Sequence, residues 1–393
     1  MASEQHFPRS QAAIVGIGCT EYSRSSEVSA FALAARAVKA AVADAGLELS
    51  DVDGLCTFGP DDGLSPSYLA QALGIESMNF FLDHKLGGSI AMSVIGQAAL
   101  AVSAGVADCV VMYRAMNGFS GRRSGSATQP PASLSAIWDT QYKFPTGYVA
   151  AAQGLALAAS AHMARYGTTN EDFGRLAMLC RDNAVDNERA LMRAPFTLDE
   201  YMSSRWVVEP FHVLDCCLQT DGGTALVIVR SDRAKDLPHR PVGIRGAAWG
   251  GGVTLINNGR TDLAVSPADL IAPKLYAAAG LGPGDIDFAE IYDCFTFTLL
   301  SAIEGYGFSE PGEVPGKVAD GVFDRVTGAL PINTHGGLLS ESYVQAVNHV
   351  YEAVEQIRGD AGERQVARYD TALVTGELGY SSGYSCGLVL EGV

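Results

Sequence analysis

Gly284-Asp-Ile-Asp-Phe-Ala-Glu-Ile-Tyr292 follows the same pattern, position for position, as Ser50-Asp-Val-Asp-Gly-Leu-Cys-Thr-Phe58. Each is a polar turn carrying two aspartates that runs into a short apolar strand. Working outward, the neighbours match too. Gln11-Ala-Ala-Ile-Val-Gly-Ile-Gly18 is a glycine-punctuated strand, followed by an alanine-rich helix from Ser29 that stops at Gly46. Pro241-Val-Gly-Ile-Arg-Gly-Ala-Ala248 is a similar strand, followed by a helix from Ser266 that stops at Gly280. After the paired turns, Lys85-Leu-Gly-Gly-Ser89 opens a helix to Gly105, and Asp108–Tyr113 is a strand. Correspondingly, Gly336-Gly337 is expected to open a helix, and Thr371-Ala-Leu-Val-Thr-Gly376 to be the final strand. Order repeated over whole halves marks a duplicated unit. Each half reads β-α-β-α-β, which predicts an α/β fold of helix-covered sheets with parallel strands. The expected halves are 1–240 and 241–393, with an insert at about 117–220 inside the first.

The chemistry-bearing part of the repeat is its second copy. Phe288-Ala-Glu-Ile-Tyr-Asp-Cys-Phe-Thr-Phe297 is a strand, a polar turn and the start of a helix. Such strand ends open into crevices that backbone N–H groups also reach. Tyr292, Asp293 and Cys294 stand side by side there. Two readings are open from this stretch alone: a reactive cluster, or two core side chains with Asp293 capping the helix.

Composition narrows the classes. The 393 residues suit two domains or a fused pair, and 48% apolar with 18% charged residues is globular. A formal charge of −17 with no offsetting basic run argues against a nucleic-acid partner. Met1–Ser10 contains no apolar h-region, which predicts a cytoplasmic protein. Phe144–Ala164 is the nearest approach to a membrane span, but its alanine, glycine, proline and histidine content suits a buried helix. The eight cysteines include no C-x-x-C pair, so neither a zinc site nor a disulfide framework is expected. The insert opens with a Gly/Ser/Pro loop, and Thr168-Thr-Asn-Glu171 looks like a capping box for the helix through Cys180. Loops of this kind often line binding sites.

Five segments together resemble the thiolase superfamily, in its sterol-carrier-protein-x and lipid-transfer-protein branch. They are Gly87–Ser93 with its helix ending at Gly105, Ala164–Thr169, Thr220-Asp-Gly-Gly-Thr-Ala225, Tyr292-Asp-Cys-Phe295 and Asn333-Thr-His-Gly-Gly-Leu-Leu-Ser340. The resemblance implies a five-layer α-β-α-β-α sandwich, a homodimer, and acyl-CoA bound between the core and the insert. The departures are informative. The thiolase nucleophilic cysteine is replaced by Gly87 or Gly88, and its histidine by Tyr343. Its second cysteine falls around Ser381-Ser-Gly-Tyr384. Claisen chemistry of the usual type cannot run without the nucleophile and its base.

In these replacements the chain resembles the lipid-transfer-like aldolases of steroid side-chain degradation. They cleave a β-hydroxyacyl-CoA such as 17-hydroxy-3-oxo-4-pregnene-20-carboxyl-CoA to a 17-keto steroid and propionyl-CoA. The resemblance implies Tyr292 and Tyr343 as the catalytic pair, and a separate zinc-ribbon/OB-fold acyl-CoA-associated partner (DUF35-type). A retro-aldol step needs a base for the β-hydroxyl, an acid for the α-carbon and stabilisation of a thioester enolate, but no nucleophile. A Schiff-base lysine would not help, because a thioester forms no useful imine. No metal or other cofactor is expected, since the seven histidines show no ligand cluster in sequence. The expected enolate donors are backbone N–H groups near Gly88 and Gly383, with Asn333 and His335 as helpers. Asp293 and Cys294 are expected to orient the site. Tyr343 is expected to face Tyr292 from the other half. Arg122-Arg123 could pair with CoA phosphates, or be a solvated loop. Two competing readings are an acyltransferase using Cys294 and a non-catalytic lipid or acyl-CoA carrier.

Overall fold

A computed structural model describes residues 7–59, 64–85, 88–121, 144–148, 150–251, 262–377 and 383–393. In the first half, β1 (Ala12–Cys19), α1 (Ala30–Asp44), β2 (Gly54–Phe58), α2 (Pro66–Leu73), β3 (Phe80–His84), α3 (Ala91–Ser103) and β4 (Cys109–Asn117) appear in order. The insert contributes α4 (Ala151–Tyr166), α5 (Asn170–Ala184), α6 (Leu198–Ser203) and the small hairpin β5 (Trp206–Val208) with β6 (Phe211–His212). β7 (Asp221–Arg230) completes the first half. The second half has β8 (Val242–Gly251), α7 (Ala272–Ala279), β9 (Phe288–Glu290) and α8 (Thr296–Gly305). The single turn α9 (Gly337–Ser340), α10 (Val347–Arg358), β10 (Thr371–Glu377) and β11 (Tyr384–Gly392) follow.

The sheet order is β3-β2-β4-β7-β1-β8-β11-β10-β9. The duplication is visible in the pairings. β2–β4 and β9–β10 are parallel, while β4–β7 and β10–β11, and then β7–β1 and β11–β8, are antiparallel. Among the described strands, the sheet passes from one half to the other where Ala13 and Ile14 of β1 meet Gly243 and Val242 of β8. The expectation of parallel strands is therefore corrected to mixed sheets. Its cause is one overlooked strand per half. Leu226-Val-Ile-Val229 and Leu388-Val-Leu390 are apolar runs of the fully buried strand type, and Thr371–Glu377 is not the last strand.

Layering follows from side-chain size. α3 and α10 touch strands of both halves and lie between them, whereas α1 covers β1, β4 and β7, and α7 covers β8 and β11. α3 buries ten of its 13 residues, as a helix packed on both sides must. Along β1, Ala12 and Ile14 join the central core while Ala13 and Val15 join the outer one under α1. A Cβ at Gly18 would lie 2.3 Å from the Ala41 backbone of α1, and one at Gly246 of β8 would lie 2.8 Å from Ala279 of α7. These glycines let the outer helices approach their sheets closely in both halves.

Thr169 is the N-cap of α5, and the residue that completes its capping box is Asp172 rather than Glu171. No described helix is long and apolar enough to cross a membrane.

Candidate active site

β9 ends at Glu290, and Ile291–Cys294 run on as an extended segment beyond the sheet edge. Asn333 holds this segment from one side. Its Oδ1 accepts the Ile291 N–H at 2.6 Å and its Nδ2 donates to the Ile291 carbonyl at 2.9 Å. Thr375 of β10 holds it from the other, accepting the Tyr292 N–H on Oγ1 at 2.9 Å. Tyr343 lies on the irregular stretch between α9 and α10. Thr220, the residue before β7, accepts the Tyr343 N–H at 3.0 Å and donates its hydroxyl to the Tyr343 carbonyl at 3.2 Å. With both backbones held, the two phenol oxygens stand 3.2 Å apart. Both tyrosines belong to the second half, so they do not face each other across the duplication. The first half contributes the Thr220 clamp.

Tyr292 is buried and Tyr343 half-buried against the same core. Burial pushes the Tyr292 phenol well above its ordinary value, and the neighbouring Cys294 thiol and Tyr343 push it further. Burial also raises Tyr343, with Cys217 and Cys294 adding to the rise, and the hydrogen bond with Tyr292 and the Arg114 guanidinium offset only part of it. Arg114 is itself buried, donates Nε–H to Gln345 Oε1 at 2.6 Å and lies over the Phe58 ring. Either hydroxyl can donate in this pair, and both phenols are held in their protonated form by burial. Cys294 is a dry, neutral thiol pushed up to about 12 by burial, 3.7 Å from the Thr298 hydroxyl.

The remaining sequence-derived residues divide into supports and outliers. Asp293 does cap a helix, but not the one that follows it. Its carboxylate accepts the Leu338 and Leu339 N–H groups of α9 at 2.8 and 3.4 Å. Asn333 and His335 are corrected from enolate helpers to supports. Both side-chain ends of Asn333 are used on Ile291. His335 Nδ1 lies 2.9 Å from Glu290, and its Nε2 lies 3.0 Å from His349 Nδ1 and 3.6 Å from Glu341. Burial acts to lower the His335 pKa, but Glu341 and Glu290 outweigh it and raise it to about 9. Glu290, His335 and His349 are close enough together to hold a metal ion. As they stand, the three side chains form a buried brace, with His335 bridging Glu290 and His349. Gly88 and Gly383 have φ of +70° and +69° at the approaches to α3 and β11. The amide next to Gly88, that of Ser89, donates to the Glu377 carbonyl at 2.7 Å. Gly87, Arg122, Arg123, Ser381 and Ser382 lie outside the described residues. Thr220, Thr375 and Arg114 received no role from the sequence. Only Thr220, inside its glycine-rich motif, carried a signal that could have drawn notice.

A mixed α/β duplication with a pair of phenols beyond the end of its parallel strands defines a thiolase-fold protein. Residues 255–391 match the family described as thiolase C-terminal domain-like. The chain is 42% identical to the steroid side-chain-cleaving aldolase of Thermomonospora curvata, over 96% of this chain and 97% of that one. It is 40% identical to the 17-hydroxy-3-oxo-4-pregnene-20-carboxyl-CoA lyase of Mycobacterium tuberculosis, over 97% and 99% of the two chains. A solved structure described as an Ltp2-ChsH2(DUF35) aldolase superposes with a TM-score of 0.90 at 40% identity, covering 98% of this chain and 99% of that one. The chain belongs to the steroid side-chain-cleaving aldolase family within the thiolase-like proteins.

Proposed function

We propose that this chain is a retro-aldolase for a steroid β-hydroxyacyl-CoA, such as 17-hydroxy-3-oxo-4-pregnene-20-carboxyl-CoA, which it cleaves to a 17-keto steroid and propionyl-CoA. The observation that carries the mechanism is the pair of phenols held 3.2 Å apart on clamped backbones. Tyr343 takes the β-hydroxyl proton as it hands its own proton to Tyr292 across their hydrogen bond, and Tyr292 gives one up in turn. The bond to the α-carbon breaks, its electron pair passes into the thioester as an enolate, and the α-carbon is reprotonated on the Tyr292 side. Backbone N–H groups near Gly88 and Gly383 face the thioester oxygen in this scheme. The family relationship supports the substrate class, and the chemistry is consistent with a site that has no activated nucleophile.

Cys294 as the nucleophile of an acyltransferase is disfavoured, because burial keeps it a thiol. A carrier would bind the acyl-CoA and release it unchanged. Mass spectrometry of the steroid acyl-CoA after incubation with this chain, with and without a DUF35-type partner, separates these readings. Release of propionyl-CoA and the ring ketone supports the aldolase, and recovery of intact thioester in both incubations rejects it. The same proposal includes assembly as a homodimer and with a zinc-ribbon/OB-fold partner; the solved relative's description names a DUF35 component for that protein.

A further inference from the structure

Asn348 and His349 stand next to each other in the first turn of α10, both buried, and each holds a different tyrosine-bearing segment. His349 Nε2 lies 3.1 Å from the Ile291 carbonyl and 3.1 Å from Asp293 Oδ1, so it touches the residues on both sides of Tyr292. Asn348 Nδ2 donates to Glu341 Oε2 at 2.8 Å and to the Ser342 carbonyl at 3.3 Å, in the stretch that leads into Tyr343. Between Tyr343 and this turn the chain passes through Gln345 and Ala346, whose φ of +50° and +61° are strained for residues with a Cβ. Such a bend persists only when its surroundings hold it. Arg114 and Ser89 hold Gln345 from the first half, and Asn348 holds the near side.

The partners of His349 fix its proton. Nε2 faces a carbonyl and a carboxylate, which here can only accept, so Nε2 carries the hydrogen and donates. Nδ1 faces His335 Nε2 at 3.0 Å, and the other nitrogen of His335 lies 2.9 Å from Glu290. The two rings thus leave the Tyr292 segment at Glu290 and return to it at Ile291 and Asp293, strapping it before and after the tyrosine. That segment lies beyond the end of β9, where Ile291 and Tyr292 take their amide partners from the side chains of Asn333 and Thr375. His349 adds the hold on the carbonyl side of Ile291 and on the carboxylate that caps α9.

We propose that His349 and Asn348 are positioning residues that together set the spacing of the two phenols, His349 through the Tyr292 segment and Asn348 through the Tyr343 bend. This rests on the retro-aldol reading above, in which a proton crosses the 3.2 Å between the phenol oxygens. Because the two residues are consecutive on one helical turn, they fix the two segments relative to each other and not only to the core. They act through the backbones that carry the phenols. A displacement of about 1 Å at a reacting group can cost on the order of a hundredfold in rate, so loosening either side slows the chemistry while the bound substrate keeps its contacts.

The test splits the histidine into its two ends. In His349→Gln the amide nitrogen stands in for Nε2 and keeps the donor toward Ile291 and Asp293. In His349→Asn it stands in for Nδ1 and keeps only the side toward His335. The Gln variant should release propionyl-CoA with a kcat within about threefold of wild type, and the Asn variant should be slower by roughly tenfold to a hundredfold, with KM changed less than about twofold in both. A histidine that merely fills the core predicts instead that activity tracks melting temperature and that Gln gives no rescue. That pattern, or a normal kcat in the Asn variant, overturns the proposal. If His349→Asn does not fold, Asn348→Leu repeats the test from the other tyrosine, where a fall of about tenfold or more in kcat at unchanged KM supports the proposal and a normal kcat rejects it. Nitrogen NMR of histidine-labelled wild type gives a check without any variant, since an Nε2 of His349 that carries no hydrogen at neutral pH rejects the strap. The retro-aldol reading fails separately, if wild type releases no propionyl-CoA or if the Tyr292→Phe and Tyr343→Phe variants cleave normally.

Discussion

Removing one oxygen from Tyr343 separates its chemistry from its packing. Tyr343→Phe keeps the ring in place and loses a single hydrogen bond, so stability should move by only about 0.5–1.5 kcal/mol. Turnover of the hydroxyacyl-CoA should fall roughly a hundredfold or more, with acyl-CoA binding retained. Steady-state kinetics beside a thermal melt decides this, and a well-folded Phe variant with normal turnover would remove the tyrosine mechanism. Cys294→Ala should keep at least about a tenth of the activity, since a retro-aldol step needs no nucleophile, whereas complete loss would favour the acyltransferase. Glu377, the last residue of β10, is fully buried and has a stability signature. Its pKa is raised from 4.5 to about 8, so the folded state keeps a proton that the unfolded chain gives up between those values. Its contribution is fully present below about pH 4.5 and is lost as pH rises through 8. Melting temperatures of wild type and Glu377→Gln measured from pH 4.5 to 9 should therefore diverge, with wild type falling behind. Parallel curves would show that the carboxyl is already ionised.

The one-turn helix α9 shows what the second glycine pair is for. Gly337 has φ of +64°, and a Cβ there would lie 2.0 Å from Asp293 Oδ2 and 3.0 Å from Asn333 Nδ2. Gly337→Ala should cost about 3 kcal/mol or more, because strain and a clash with the capping carboxylate coincide. It should also abolish turnover with both tyrosines intact, and a stable, active Ala variant would show that the Asp293 cap is dispensable. After α9 the chain does not continue as helix. Gln345 and Ala346 have φ of +50° and +61°, and α10 begins only at Val347. The helix expected to open at Gly336-Gly337 is thus a single turn, followed by a bend that displays Tyr343 and then by α10. Beneath it, Arg189 of the insert pairs with Glu341, Glu352 and Glu355. Arg189→Met should destabilise by roughly 3 kcal/mol, since buried carboxylates lose a counter-charge. Calorimetry that found less than about 1 kcal/mol would leave Arg364 as the sufficient partner.

At the scale of the whole molecule, β3 is an edge strand that among the described strands pairs only with β2. Phe81 on that edge strand is 66% exposed and Tyr68 on the adjoining α2 is 67% exposed. An open edge with large apolar side chains is a surface natural proteins cover. The expected cover is the same edge of a second copy, by two-fold symmetry. Sedimentation should give a dimer at micromolar concentration, and Phe81→Glu should shift it to monomer. A wild-type monomer would reject the homodimer. Addition of a DUF35-type partner should raise turnover or solubility, and an unchanged rate would argue that this chain works without it.

Much of this was legible in residue order. Equivalent turns at Ser50 and Gly284, glycine-punctuated β1 and β8, and alanine-rich α3 repeat because each half must solve the same packing problem, and local patterns report local packing. Tyr343 drew notice because it stands where the resemblance expects the thiolase histidine, and Tyr292 because it ends a strand beside Asp293 and Cys294. The mixed strand directions were not legible, since antiparallel β7 and β11 are apolar runs like their parallel neighbours and direction leaves no mark in composition. Nor were the uses of Asp293, Asn333, His335, Thr220 and His349. A side chain's hydrogen-bond partner lies dozens to hundreds of residues away, as Thr220 does from Tyr343, and only the closed fold decides which polar groups meet.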